Sequence, residues 1–356
     1  MAEHPPLSVA ITADPGVPVP PALYGGIERV IHWLVDGLVA RGHHVVLFAD
    51  PESRVNGMLA PYRLPSGVRV VDDVRNAGTI ASRVIREGFD IIHSFGRLAY
   101  MAPLALHRTP KLMSYQRPIT PRSIRMARLL FGDSIQFTAC SRHMIAPVSA
   151  NGTWHVVYNG VPLSAFQYQP HVESDAPLVF LGRVEFIKGT HIAIDVAERT
   201  GRRLIIAGNI ASEHRHYFET QVKPFVDGRR IEYVGPVDDR EKNLLLGQAA
   251  ALLMPILWDE PFGIVMAEAL ACGTPVVGLR RGSVPEVVEE GVTGWLADDA
   301  DGLVAGIERV GVLNRSACRQ AAETRFSDRQ IVGRYEAVYR SIVKTRGALA
   351  VPQRQV

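Results

Sequence analysis

The chain has 356 residues, 47% hydrophobic and 21% charged, a balance that excludes a disordered chain and a membrane-embedded bundle. That length exceeds what one ordinary core accommodates, so two α/β domains are expected. Lysine and arginine number 39 against 36 acidic residues, and a net charge of +3 is too small to imply nucleic acid as a partner.

The chain begins Met-Ala-Glu-His-Pro-Pro, with no basic segment leading into a long apolar run, and no later window approaches 18 uninterrupted apolar residues. Both features point to the cytoplasm. Leu7 to Ala13 reads as a strand, a proline-rich loop leads to Gly25-Gly26, and Ile27 to Arg41 has the apolar spacing of a helix that Gly42 ends. Val45 to Ala49, Asp90 to His93, Lys111 to Tyr115, Gln136 to Cys140 and Trp154 to Tyr158 then read as buried strands.

From His107 to Gly132 the basic residues Arg108, Lys111, Arg117, Arg122, Arg125 and Arg128 occur with no acidic residue among them. Such a stretch is either a solvated face or a contact with an anionic acceptor or a membrane surface, so peripheral membrane contact is an open expectation. Pro162 to Pro177 turns polar and irregular and reads as the linker. A second alternation follows, with strands at Leu178 to Leu181, Arg203 to Ala207, Ile231 to Val234, Ala251 to Pro255 and Pro275 to Val277. The domains are thus expected at 1–165 and 176–326, and the helical period of 327–346 allows the last helix to pack back on the first domain.

Cys140, Cys272 and Cys318 are widely spaced beside small or apolar neighbours, as free buried thiols in a reducing compartment would be. The twelve histidines show no zinc-ligand spacing, His214 and His216 read as exposed on a helix, and no metal is expected. Asp299-Ala300-Asp301 resembles a metal-binding Asp-x-Asp, but its place before an apolar helical stretch makes it a helix cap.

Three segments carry chemistry. In Tyr24-Gly25-Gly26-Ile27-Glu28 two glycines lie between the first strand and the first helix, where backbone amides can approach an anion, although a tight turn alone would look the same. Gly182-Arg183-Val184-Glu185-Phe186-Ile187-Lys188-Gly189 places two cations at a strand's carboxyl end, a pattern suited to a diphosphate and unlike a Walker loop. In the run from Asp259 to Pro275, Pro261 and Gly263 turn into a short helix whose first-turn N–H groups lack intrahelical partners. Glu260 precedes that helix and Glu268 lies within it, two carboxylates able to accept hydrogen bonds from different hydroxyls of one elongated ligand.

These segments, with Ala271-Cys-Gly-Thr-Pro-Val-Val277, Asn159-Gly160-Val161 and Val284-Pro-Glu-Val-Val288 followed by Gly291-Val-Thr-Gly294, resemble glycosyltransferase family 4 along nearly the whole chain. The resemblance implies the GT-B fold, two Rossmann-like domains facing each other across a cleft. It also implies metal-independent transfer of a sugar, with retained anomeric configuration, from a nucleotide-diphosphate sugar, a UDP-sugar by default. By position, Arg183 and Lys188 would hold the diphosphate, Glu268 the ribose hydroxyls and Glu260 the transferred sugar. Gly263, Ile264 and Val265 would offer backbone N–H groups, Gly25 and Gly26 would close the phosphate site, and Val237 would lie in the loop flanking the base.

One departure stands out. Where many family members place a histidine after the strand Lys111 to Tyr115, this chain has Gln116. The family's front-face mechanism, in which the leaving phosphate takes the acceptor proton, does without that histidine; Gln116 is expected to bond the donor sugar, with His93 the next candidate. The acceptor, whether saccharide, small molecule or lipid-linked, is not readable. An epimerase of the same fold, or a non-catalytic sugar-nucleotide-binding protein, are the alternatives.

Overall fold

The structure, a computed structural model, describes residues 5–21, 25–63 and 66–350, with side chains as far as Thr345. Tyr24 of the glycine loop and the first four residues of the chain lie outside the described residues. The chain divides into two units, one running to Tyr158 and resuming at Ile331, the other spanning Asn159–Gln330.

In the first unit β1 (Ser8–Thr12), β2 (His44–Ala49), β3 (Met58–Pro61), β4 (Ile91–Ser94), β5 (Lys111–Tyr115), β6 (Ile135–Ala139) and β7 (Trp154–Val156) form one sheet in the order β3-β2-β1-β4-β5-β6-β7. Every pairing in it is parallel, so the strands are covered on both faces and the crossovers run through helices, the short β2–β3 connection excepted. Helix Gly26–Ala40 meets that need by burying Val30, Ile31, Leu34, Val35 and Leu38, a single stripe at helical spacing. On one face of the sheet a core of Val46, Phe48, Ile92 and Phe137 packs beneath Ile80 and Val84, Tyr100 and Leu104, and Ile124 and Phe131. Those pairs come from helix Arg69–Glu87, the 3₁₀ helix Leu98–Leu104 and helix Pro121–Phe131 respectively.

In the second unit β8 (Leu178–Leu181), β9 (Leu204–Ala207), β10 (Ile231–Gly235), β11 (Ala251–Met254), β12 (Val276–Leu279) and β13 (Gly294–Ala297) form a second parallel sheet, ordered β10-β9-β8-β11-β12-β13. This is the doubly wound order, which reverses direction between β8 and β11 and opens a crevice at their carboxyl ends. The corresponding reversal in the first sheet falls between β1 and β4. Both units are Rossmann-like, and the fold is GT-B.

Two strands escape the sequence reading. β3 is a short edge strand that ends in Pro61 and exposes Met58, and β13 has the run Gly-Trp-Leu-Ala with no β-branched residue. The segment read as a linker also behaves differently: residues 162–177 are woven into the second unit. Val161 N–H donates to the Phe326 carbonyl at 2.8 Å, Gln169 N–H to the Cys272 carbonyl at 3.0 Å, and Arg319 Nη1 to the Phe166 carbonyl at 3.0 Å. The polar, proline-rich composition read as a linker reflects irregular backbone whose groups are satisfied individually rather than by a ladder. Among the described residues no helix is long and apolar enough to cross a membrane.

Candidate active site

The β8–β11 reversal brings two of the three chemistry-bearing segments together. The loop after β8 carries Arg183 and Lys188, and the loop after β11 carries Glu260. Their backbones are tied by Leu257 N–H donating to the Ile187 carbonyl at 2.8 Å. Gly189 has φ +73°, and a Cβ there would lie 1.9 Å from the Pro255 carbonyl oxygen, so only glycine allows the two loops to approach this closely.

Lys188 Nζ reaches Glu260 Oε2 at 2.5 Å, the Trp258 indole donates to the same oxygen at 3.0 Å, and the ammonium sits 5.0 Å from the Trp258 ring centroid. Glu260 is 9% exposed, and its carbonyl is held by the Ser283 N–H at 3.0 Å. Gly263, at φ +70°, opens helix Ile264–Ala271, and a Cβ on it would meet Glu260 Cγ at 3.3 Å. The Glu260 side chain therefore lies against the helix N-terminus, where the N–H groups of Ile264 and Val265 also fall and the helix dipole favours an anion. Lys188, Trp258, Glu260 and Gly263 form one cluster.

Arg183 is steered by a residue the sequence reading left without a role. Buried Glu185 lies 2.8 Å from Arg183 Nη2 through Oε1 and 3.0 Å from His214 Nε2 through Oε2. The first contact is an ion pair rather than an aligned hydrogen bond, since Glu185 Oε1 and Arg183 Nε both lack hydrogen-bond geometry. His214 is thus engaged with Glu185, where the sequence suggested a freely exposed histidine.

Glu268 belongs to a second pair. Helix Asp239–Gln248, capped by a reciprocal Asp238–Glu241 box just after Val237, presents Lys242 to Glu268 Oε1 at 2.5 Å. Burial opposes the Lys242 charge, but Glu268 and Asp239 outweigh it and hold its pKa above the ordinary lysine value. Lys242 was missed because its helix is polar and nothing in its sequence neighbourhood names a distant partner. The Asp238-x-x-Glu241 capping box, which fixes where that helix starts, was the available signal.

The Ala-Cys-Gly-Thr-Pro run plays a supporting part. Arg315, only 8% exposed, donates to the Gln169, Ala249 and Gly247 carbonyls and to Thr274 Oγ1, all at 2.7–2.9 Å. It anchors the turn after helix Ile264–Ala271, and so the base of the site. Cys272 and Cys318 are buried here, with burial pushing both thiols up to about 12, and none of the three cysteines forms a disulfide.

The first-unit residues divide. Gly25 and Gly26 open helix Gly26–Ala40, and a Cβ on Gly25 would lie 2.8 Å from Glu28 Oε2. Gln116, half-buried after β5, interacts with the Tyr335 hydroxyl. His93 needs correcting as a catalytic candidate. It is fully buried, its Nδ1 pairs with Tyr339 Oη at 2.7 Å and its Nε2 with Ser114 Oγ at 2.6 Å, and burial lowers its pKa to about 3. With both ring nitrogens engaged and aromatic rings of Phe95 and Tyr335 beside it, His93 is a core group that pins the last helix to β4.

The carboxyl ends of β1, β4 and β5 instead present Asp14, Arg97 and Arg117. Arg97 bonds Asp73 at 2.5 Å and lies 3.9 Å from Asp14, and burial raises the pKa values of both Asp14 and Glu28 against the opposing pull of Arg117. Asp299 accepts from Gly302 N–H at 2.8 Å as a helix cap. Among the described residues no group of three or more His, Cys, Asp or Glu side chains is placed to hold a metal ion.

Two Rossmann-like units and a strand-end cluster of cations, carboxylates and a helix N-terminus define a glycosyltransferase of the GT-B class. Residues 24–165 match the family model "Glycosyltransferase Family 4" and residues 165–325 match "Glycosyl transferases group 1". The chain belongs to the family 4 glycosyltransferases. It is 27% identical to a glycogen synthase of Mycobacterium tuberculosis over 350 residues, covering 82% of this chain and 83% of that protein. Among solved structures it is similar to AviGT4, a glycosyltransferase involved in avilamycin A biosynthesis, at 27% identity and a TM-score of 0.71, covering 95% and 98% of the two chains. Anabaena HepE in complex with UDP-glucose shares the fold at 18% identity and a TM-score of 0.70, covering 96% of this chain and all (100%) of that one.

Proposed function

We propose that the enzyme moves a hexose from a UDP-sugar to an acceptor hydroxyl with retention of anomeric configuration and without a metal. The observation that carries this reading is the Lys188–Glu260 pair, held 2.5 Å apart at the β8–β11 reversal beside a helix N-terminus. A lysine there offsets the charge gathering on a departing diphosphate, as a metal would elsewhere. Arg183, steered by Glu185, supplies a second cation. Glu260 faces the positive charge that builds on the sugar, and Glu268 accepts the ribose hydroxyls once Lys242 has fixed its orientation.

In the step proposed, the bond from the anomeric carbon to the diphosphate oxygen breaks and the bond to the acceptor oxygen forms on the same face. The acceptor proton passes to the leaving phosphate oxygen, so no histidine base is required. Gln116 contacts the transferred sugar in this reading. HepE is described with UDP-glucose, which supports uridine as the base.

A thermal-shift panel of UDP-, GDP- and ADP-sugars, with and without EDTA, tests the donor half, because a ligand of the native state raises the midpoint. Stabilisation by a UDP-sugar that survives EDTA is expected. Stabilisation only by another base rejects the donor assignment, and loss of it in EDTA rejects metal independence. NMR of the product's anomeric proton then reads retention against inversion.

A further inference from the structure

We infer that helix Pro121–Phe131 of the first unit is a docking surface for an anionic lipid bilayer. The helix buries Ile124, Ala127 and Phe131 in the core and leaves its other side to solvent. On that side Arg122, Met126 and Leu129, spaced by four and three residues, form the outward ridge, flanked by Arg125 and Leu130. Met126 is 52% exposed, Leu129 80% and Leu130 40%. An amphipathic helix that exposes apolar side chains beside a row of arginines is suited to the headgroup–acyl boundary.

The patch extends past the helix. Lys111 at the start of β5 donates to the His107 and Thr109 carbonyls at 2.7 and 2.9 Å while its ammonium lies 5.8 Å from the Phe131 ring centroid. The loop carrying fully exposed Leu106, together with Arg108, is thereby set at the helix's C-terminal end. Lys111 itself is buried and belongs to the core, so the basic stretch of the sequence resolves into an inner lysine and an outer row of arginines.

Charge selects the occupant. Between Arg108 and Arg128 no acidic residue occurs, and the nearest, Asp133, pairs with Arg128 at 3.0 Å. Helix Arg69–Glu87 covers the same sheet face and exposes Val70 and Val74, but it interleaves its arginines with Asp72, Asp73 and Glu87 and lacks this one-signed character. The apolar positions are leucine and methionine rather than aromatic, which suits acyl chains and offers nothing on which nucleic-acid bases stack.

The test is co-sedimentation of the full chain with phosphatidylcholine vesicles, with and without phosphatidylglycerol. Pelleting with the anionic vesicles alone, weakening as salt is raised, is expected. Arg122→Ser with Arg125→Ser should lower the partition coefficient about thirtyfold, taking roughly 1 kcal/mol per basic residue near the surface. Leu129→Glu with Leu130→Glu should abolish pelleting, and Val312→Glu, which removes an exposed apolar side chain of the second unit, should leave it unchanged. Thermal midpoints confirm that each variant is folded. No pelleting, equal pelleting with neutral vesicles, or indifference to the leucine changes overturns the inference. So does a concentration-dependent dimer that Leu129→Glu dissolves while vesicles are ignored, because a second copy would then own the face.

Discussion

The two units treat their strand-end carboxylates differently. In the second, Glu260 and Glu268 each have a lysine at 2.5 Å, and every charged group drawn into the site has a partner of opposite sign. In the first, Asp14 and Glu28 are partly withdrawn from water, and the ion pair of Asp14 with Arg97 is loose, at 3.9 Å. Paired charges hold their geometry before a ligand arrives, whereas a carboxylate desolvated without close compensation gains from any ligand that donates hydrogen bonds to it. In the function proposed above, the second unit's paired charges are set before the donor arrives, and the first unit's strand ends are where a hydrogen-bonding acceptor would gain most.

The sharpest way to break this comparison is at Lys188. Lys188→Ala removes the cation that would face the leaving diphosphate and is expected to lower kcat by about a hundred- to a thousandfold, as loss of one preorganised charge-stabilising donor does. Its thermal midpoint should change far less, because Glu260 keeps the Trp258 N–H. Turnover within a few-fold of the parent would remove Lys188 from the chemistry. Lys242 should show the reverse profile. Lys242→Met leaves Glu268, 5% exposed, without its counter-charge, and unfolding measurements should show a loss of about 3 kcal/mol. Adding Glu268→Leu should recover most of that stability while donor affinity, read by calorimetric titration, stays lost. Recovered affinity would mean that Glu268 does not meet the ribose.

How far the sequence revealed these sites follows from the range of the interactions. The Gly182–Gly189 and Asp259–Gly263 segments are legible because glycine, proline and charge at fixed local spacing record a turn, and a parallel sheet places such turns at its strand ends. Lys242, Glu185 and Arg315 are not legible, because their roles come from partners 26, 29 and up to 146 residues away or from a burial no local pattern encodes. His93 illustrates the opposite failure. A histidine ending a strand looks available until the last helix supplies Tyr339, 246 residues on, and closes it. β3 fell below detection because an edge strand need bury only part of one face.

The smallest effect belongs to Asp14 and tests the loosely paired half of the comparison most directly. Burial raises its pKa above the ordinary value of 3.8, so the folded state binds the proton more tightly than the unfolded one. Stability therefore falls as pH climbs from about 3.8 through the raised folded value. Asp14→Asn removes the charge while keeping the shape. Its midpoint should rise at pH 7 by roughly 1–3 °C, what a fraction of a kcal/mol gives in a unit this size. The gain should shrink to nothing in scans below about pH 4, where the parent's own carboxyl is protonated. Transfer to acceptor should meanwhile fall with donor binding unchanged, since a neutral amide accepts an acceptor hydroxyl's hydrogen bond less strongly than a carboxylate. A midpoint that drops at pH 7 would show that Arg97 and Arg117 already compensate the charge, and the first unit would then be as fully paired as the second.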